Sequence, residues 1–239
     1  MARKDVPMTR TLLILCGCFL WCQMAALARP ANEITIPNDP KYKLGPGIRY
    51  MKTDAYKQEV AKVVDEAKSY CQKFVGDLNC AVVLDLDETL FDSSEQYMSK
   101  SYDAATDDWK EGPQAADGER NWAQYVAEAK APPIPAVLDF AKWCNEKGFP
   151  IFFITGRNAC LRAGTEQNIQ KLGVKYVALF MEVSQPKPSF PEDFKTEYRR
   201  QIERQGYHII CNMGDQESDL YGLHADQCFK LPNQAYFTP

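Results

Sequence analysis

Two aspartates spaced two apart, Asp85 and Asp87, close the apolar run Ala81-Val82-Val83-Leu84. Carboxylates so placed can divide labour: one attacks as a nucleophile or binds a metal ion, while the other shuttles a proton. Three further features fit the same chemistry. Thr155-Gly156 offers a hydroxyl and an accessible backbone N–H, suited to an anionic oxygen at a helix N-terminus. Lys195 can neutralise an anionic group and the acids around it. Asp215, with Asp219 four residues on, supplies the hard oxygen ligands that Mg²⁺ takes. Each also has a plainer use: an acidic turn at Asp85, helix caps at Thr155 and Asp215, a solvated charge at Lys195.

These residues need elements to carry them. The run 80–86 reads as a buried parallel strand, and open α/β sheets bind ligands at the carboxyl ends of such strands. A second apolar strand, Pro150 to Ile154, finishes in Thr155-Gly156-Arg157. A third covers Tyr176 to Phe180, a fourth runs from Tyr207 to Cys211 into Asn212-Met213-Gly214-Asp215, and a last one covers 227–231. Between them the pattern turns helical. Thr53 to Phe74 has Thr53 as N-cap and Gly76 as stop, and Pro132-Pro133-Ile134-Pro135 introduces a helix that ends at Gly148. Further helices are expected over 159–171, 192–205 and 216–222. Strands alternating with helices predict an α/β fold with a doubly wound parallel sheet.

Residues 93–130 depart from that alternation. They carry Tyr97, Tyr102, Trp109, Trp122 and Tyr125 among many acids. Two short helices, about 94–105 and 119–130, would make a small helical cap inserted after the first strand. Its aromatics would line a substrate mouth or form the cap's own core.

Arg3, Lys4 and Arg10 precede an apolar run from Leu12 to Leu27 that closes in Ala26-Leu27-Ala28. This predicts a signal peptide over 1–28, cleaved after Ala28, and a secreted or periplasmic protein without stable membrane insertion. The alternatives are an uncleaved membrane anchor and lipid attachment at Cys18. Residues 29–50, rich in Pro and Gly, read as an irregular arm leading to one domain over 51–239. Of nine cysteines, Cys71, Cys80, Cys144, Cys160, Cys211 and Cys228 lie beyond the signal segment, where they could form disulfides or stay as buried thiols. None form C-x-x-C pairs, which argues against zinc. A net charge of −4 without a basic run argues against a nucleic-acid partner.

Asp85-x-Asp87-x-Thr89, Thr155, Lys195 and Asp215 with Asp219 together resemble the four signatures of the haloacid dehalogenase superfamily, in order, over residues 80–231. More narrowly, Lys195-x-x-x-Arg199-x-x-Ile202-x-x-x-Gly206-Tyr207 followed by Asn212-x-Gly214-Asp215-Gln216-x-x-Asp219 looks like the secreted class B-type acid phosphatases of subfamily IIIB. That group is similar to plant vegetative storage proteins, some of which have lost the nucleophile. Lys187 rivals Lys195 but lacks this downstream pattern. The resemblance implies a Mg²⁺-dependent acid phosphatase acting on small phosphate monoesters. Asp85 would be the nucleophile and Asp87 the general acid and base. Asp85, the Asp87 main-chain carbonyl and Asp215 would hold the metal, and Thr155, the Gly156 N–H and Lys195 the phosphate. Asp219 would orient Lys195 or a metal-bound water, and Arg157 would be a pocket residue or a structural ion pair. A non-catalytic storage or binding protein, or a phosphotransferase to alcohols, would share these motifs.

Overall fold

A computed structural model of the chain describes residues 44–94, 96, 101–103, 108–110, 115–183 and 194–236. The strands are β1 (Cys80–Leu84), β2 (Ser101–Asp103), β3 (Asp108–Lys110), β4 (Ile151–Asn158), β5 (Ala178–Glu182), β6 (His208–Gly214) and β7 (Gln227–Lys230). The helices are α1 (Leu44–Met51), α2 (Asp54–Cys71), α3 (Ala115–Glu128), α4 (Pro135–Lys147), α5 (Arg162–Leu172) and α6 (Phe194–Arg204). The expected signal peptide and Lys187 lie outside the described residues.

β1 is apolar and buried at all five positions because it is the middle strand of a parallel sheet ordered β5-β4-β1-β6-β7. Its side chains alternate between two cores, as the strand period of two requires. Val82 and Leu84 join a cluster with Val60 of α2, Val137 and Phe140 of α4, and Ile169 of α5. Ala81 and Val83 face the other way, onto Ile202 of α6 with Phe152, Ile154 and Ile209. Each such burial stabilises by roughly 1.5–3 kcal/mol for a Val or Leu. The sheet is therefore doubly wound, as the alternation of elements predicts.

α2 begins where the sequence places it, with the Tyr56 N–H donating to the Thr53 hydroxyl at 3.2 Å. The cap's base is a short zipper: the Asp92 N–H reaches the Pro132 carbonyl and the Ile134 N–H the Leu90 carbonyl, both at 2.9 Å. Chain leaving and chain returning are thus bonded to each other. Asn168 of α5 pairs with both backbone polar groups of Ala131, accepting from its N–H at 2.9 Å and donating to its carbonyl at 3.0 Å.

Three expectations need correction. The arm expected to be irregular contains α1, whose Ile48 and Met51 are buried; tertiary packing overrides the local cost of Gly45, Pro46 and Gly47. In the cap, the helix expected over 94–105 is present at Ser94 and Gln96, but Ser101–Asp103 of that span forms an antiparallel hairpin of β2 and β3, with Tyr102 registered on Trp109. Aromatic residues favour strands, a preference the expected helix left out. The helix expected over 216–222 is a single 3₁₀ turn, Glu217–Asp219.

Candidate active site

Asp85 and Asp215 are the residues that follow β1 and β6, and the register sets those strands side by side, Leu84 on Met213. The Asp85 N–H donates to the Met213 carbonyl at 3.0 Å. Asp219 folds back against the same strand end. A side chain on Gly214 would sit 2.4 Å from the Asp219 side chain, so glycine is needed there. Ligand oxygens of Asp85, Asp215 and Asp219 all lie within 4.8 Å of one another, and all three residues are buried.

Lys195 enters this cluster from the first turn of α6. Its Nζ donates to Asp85 Oδ1 at 2.9 Å and to Asp219 Oδ1. Burial works against the ammonium, but the Asp85 and Asp219 charges outweigh it and raise its pKa. At the acids burial wins instead, and their pKa values rise too. Burial raises the Asp85 carboxyl well above its ordinary value; Lys195 opposes that, and Asp219 and Asp215 add to it. Asp215 is pushed up to about 6, by burial first and Asp219 second, against hydrogen bonds from Asn233 and Gln216.

Asp87 is held apart from the cluster. Arg157 donates from Nε to its Oδ2 at 2.8 Å and from Nη2 to its Oδ1 at 2.7 Å. The Ser93 hydroxyl adds a bond at 2.9 Å. The β4–β5 ladder pairs Thr155 with Met181 and then Asn158 with Glu182, so Gly156 and Arg157 are extra residues in the strand. A bulge of this kind re-aims side chains. Here it aims a guanidinium that also lies 5.0 Å from the Phe91 ring centre and 5.5 Å from that of Trp122 in α3. Thr155 is buried, its hydroxyl accepting from the Arg157 N–H at 3.1 Å, and Gly156 is exposed.

The structure thus brings Asp85, Lys195, Asp215 and Asp219 into one cluster and pairs Arg157 with Asp87. Thr155 and Gly156 lie inside β4, at its bulge, and not at the helix N-terminus expected for them: the bulge carries the strand on to Asn158, and the helix begins at Arg162. The three carboxylates suit a hard divalent cation: ionised, they exceed the Lys195 charge by two, and the site is built of oxygens. Asp85, Asp215 and Asp219 are the side chains that could hold it.

Several residues that shape the site carried no assigned role in the sequence reading. Arg199 is buried and donates to the carbonyls of Asp219 (2.7 Å), Leu223 (3.2 Å) and Tyr221, fixing the loop after β6. Asn212 donates to the Asp219 carbonyl at 2.8 Å. Both stand in the motif pattern, which could have flagged them. Glu88, buried and left-handed in its backbone (φ 53), accepts from the Ser93 N–H and the Tyr236 hydroxyl. Asn233 and Tyr236 lie far along the chain and carried no signal.

Residues 19–239 match the family model described as HAD superfamily, subfamily IIIB (Acid phosphatase). Acid phosphatase 1 of Solanum lycopersicum is 29% identical over 212 residues, 85% of this chain and 76% of that one. Vegetative storage protein 1 of Arabidopsis thaliana is 27% identical over 194 residues, 80% of this chain and 68% of the other. Among solved structures, the class C acid phosphatase from Bacillus anthracis aligns with a TM-score of 0.62 at 22% identity, over 80% of this chain and 84% of that one. At that identity the likeness is one of fold.

Proposed function

Since this chain belongs to the acid phosphatases of subfamily IIIB in the HAD superfamily, and is a phosphoric monoester hydrolase, we propose that it works through an aspartyl-phosphate on Asp85 with Mg²⁺ as cofactor. One observation carries the reading: Asp85 shares its site with Lys195 and two further acids, while Asp87, two residues on, is held separately by Arg157. One strand end thereby offers a nucleophile for phosphorus and a second carboxyl for the leaving group.

In the first step an Asp85 oxygen forms a bond to phosphorus and the ester P–O bond breaks. Asp87 gives its proton to the departing alcohol oxygen. In the second, ionised Asp87 takes a proton from water as the water oxygen attacks phosphorus. Inorganic phosphate leaves and the Asp85 carboxylate is restored. Arg157 keeps the Asp87 carboxylate oriented between the steps. Lys195, the Thr155 hydroxyl and the Gly156 N–H hold the transferring oxygens where charge builds. Asp85, Asp215 and the Asp87 main-chain carbonyl, with Asp219 alongside, would hold the metal, which when bound would offset repulsion between the carboxylates and the phosphate.

Export is part of this reading. It is supported by the basic residues and apolar run before Ala26-Leu27-Ala28. Amino-terminal sequencing of the protein recovered from its native compartment is expected to begin at Arg29.

The decisive experiment is phosphate release from a panel of small phosphate esters at about pH 5–6, with Mg²⁺, with EDTA, and with Asp85→Asn. Turnover that needs the cation and vanishes in the variant supports the mechanism. A folded, metal-loaded protein without turnover would favour a storage or binding role, the second reading, which the relative named Vegetative storage protein 1 supports.

A further inference from the structure

We propose that Asn233 is a positioning residue for the metal site: the strap Leu231–Tyr236 uses it to aim the Asp215 carboxylate at the cation. This rests on reading Asp85, Asp215 and Asp219 as the metal-holding acids.

A carboxylate turns about its last torsion over a broad, two-fold well, so a buried ligand acid needs partners that fix it. Asp215 Oδ2 accepts from Asn233 Nδ2 at 2.7 Å and from Gln216 Nε2 at 2.6 Å. Asp215 Oδ1 accepts from the Thr89 hydroxyl at a longer 3.3 Å. Two amide donors therefore anchor one oxygen and leave the other to serve the cation, as hydrogen-bonded partners of metal ligands do.

Asn233 is itself fixed. It is buried, and its Oδ1 accepts from the Ala235 N–H at 2.8 Å, an Asx turn within the strap. The strap is tied at both ends to the loops that carry the acids. The Leu231 N–H donates to the Gly214 carbonyl at 2.9 Å, and the Tyr236 hydroxyl donates to Glu88, next to Asp87. Behind it lies α1, packed so closely that a Cβ on Gly47 would stand 2.2 Å from Ala235 Cα. The two ends of the described fold thus meet at the back of the site, with Asn233 projecting from the strap to Asp215.

The test is a Mg²⁺ titration of the full chain, read by calorimetry and by thermal shift, on wild type and Asn233→Ser. Serine can still accept the Ala235 N–H, so the turn is kept, but it is too short to reach Asp215. Removing a partner of this kind typically weakens metal binding by about 10–100-fold, and that loss is expected here. The metal-free Tm is expected to stay close to wild type, and kcat is expected to recover at saturating Mg²⁺. A folded Asn233→Ser chain with wild-type Mg²⁺ affinity overturns the proposal. Should that variant not fold, Tyr236→Phe decides: it frees one end of the strap without touching the acids of the cluster. A smaller loss of Mg²⁺ affinity is expected, and none overturns the proposal. A wild-type chain that binds no divalent cation would instead remove the metal reading itself, and this inference with it.

Discussion

Arg157 grips the Asp87 carboxylate with two nitrogens, at 2.8 and 2.7 Å, from a position where the strand ladder skips a step. The pairing is buried on the arginine side and open to the site on the aspartate side, whose side chain keeps 16% of its exposure. Planar, two-point contact of this kind orients a carboxyl group as well as balancing its charge. In the proposed cycle that orientation matters most when the leaving group needs a proton.

Replacing Arg157 by Lys keeps a charge but loses the fork. kcat is expected to fall by about 10-fold or more, a part of the 10²–10⁴ that a positioned acid supplies. The loss is expected to be larger for alkyl phosphates than for aryl phosphates with acidic leaving groups. Equal losses on both would sink the link between Arg157 and proton donation.

Lys195→Met leaves Asp85 and Asp219 buried without their shared cation. Breaking a buried pair in this way costs about 3–5 kcal/mol. The cost is expected to shrink at low pH, where Asp85, whose carboxyl burial raises above its ordinary value, takes up a proton. Urea melts at pH 4.5 and pH 7 measure it, and an equal penalty at both would contradict the charge argument.

The metal-free protein is expected to show a pH trend from Asp215. Burial and Asp219 raise this acid to about 6 from an ordinary 3.8. The folded state therefore binds the proton more tightly than the unfolded state. That stabilisation is complete below about pH 4 and is lost as pH rises through about 6, on the order of 3 kcal/mol by pH 7. Asp85, also raised, acts in the same direction. In EDTA, the urea midpoint is expected to fall between pH 4.5 and 7, and Mg²⁺ is expected to lessen that fall. A midpoint that climbs in EDTA would refute the assignment.

Asn168→Ala tests how the cap is seated. It strips both hydrogen bonds from the backbone N–H and carbonyl of Ala131, where the chain returns from the cap. Leaving buried backbone groups unpaired costs about 1–3 kcal/mol each. A lower Tm and a raised KM are expected, with Mg²⁺ affinity unchanged. A change in Mg²⁺ affinity would mean that the cap and the metal site are coupled.

Much of this molecule is legible in its sequence because strand ends are legible. An apolar run such as Ala81–Leu84 that breaks into Asp85 and Asp87 specifies both a buried parallel strand and the place where its acids emerge. The same logic placed Asp215 at the end of β6, whereas Thr155 lies inside β4, which its bulge carries on to Asn158. Within the cap the signal is weaker: a helix is expected over 94–105, and pairing between Ser101–Asp103 and Asp108–Lys110 makes the later part of that span a strand.

What the sequence by itself determined is the doubly wound fold, the order of the motifs and the residue types at each strand end, since these follow from local pattern and period. Only the tertiary structure decided which acid stands with which base. Lys195 meets Asp85 and Asp219 across 110 and 24 residues, Arg157 meets Asp87 across 70, and Asn233 reaches Asp215 across 18. Such partnerships depend on strand register, on the bulge at Gly156 and Arg157, and on a strap pressed in place by α1. Those are properties of packing between distant segments, and no local spacing encodes them.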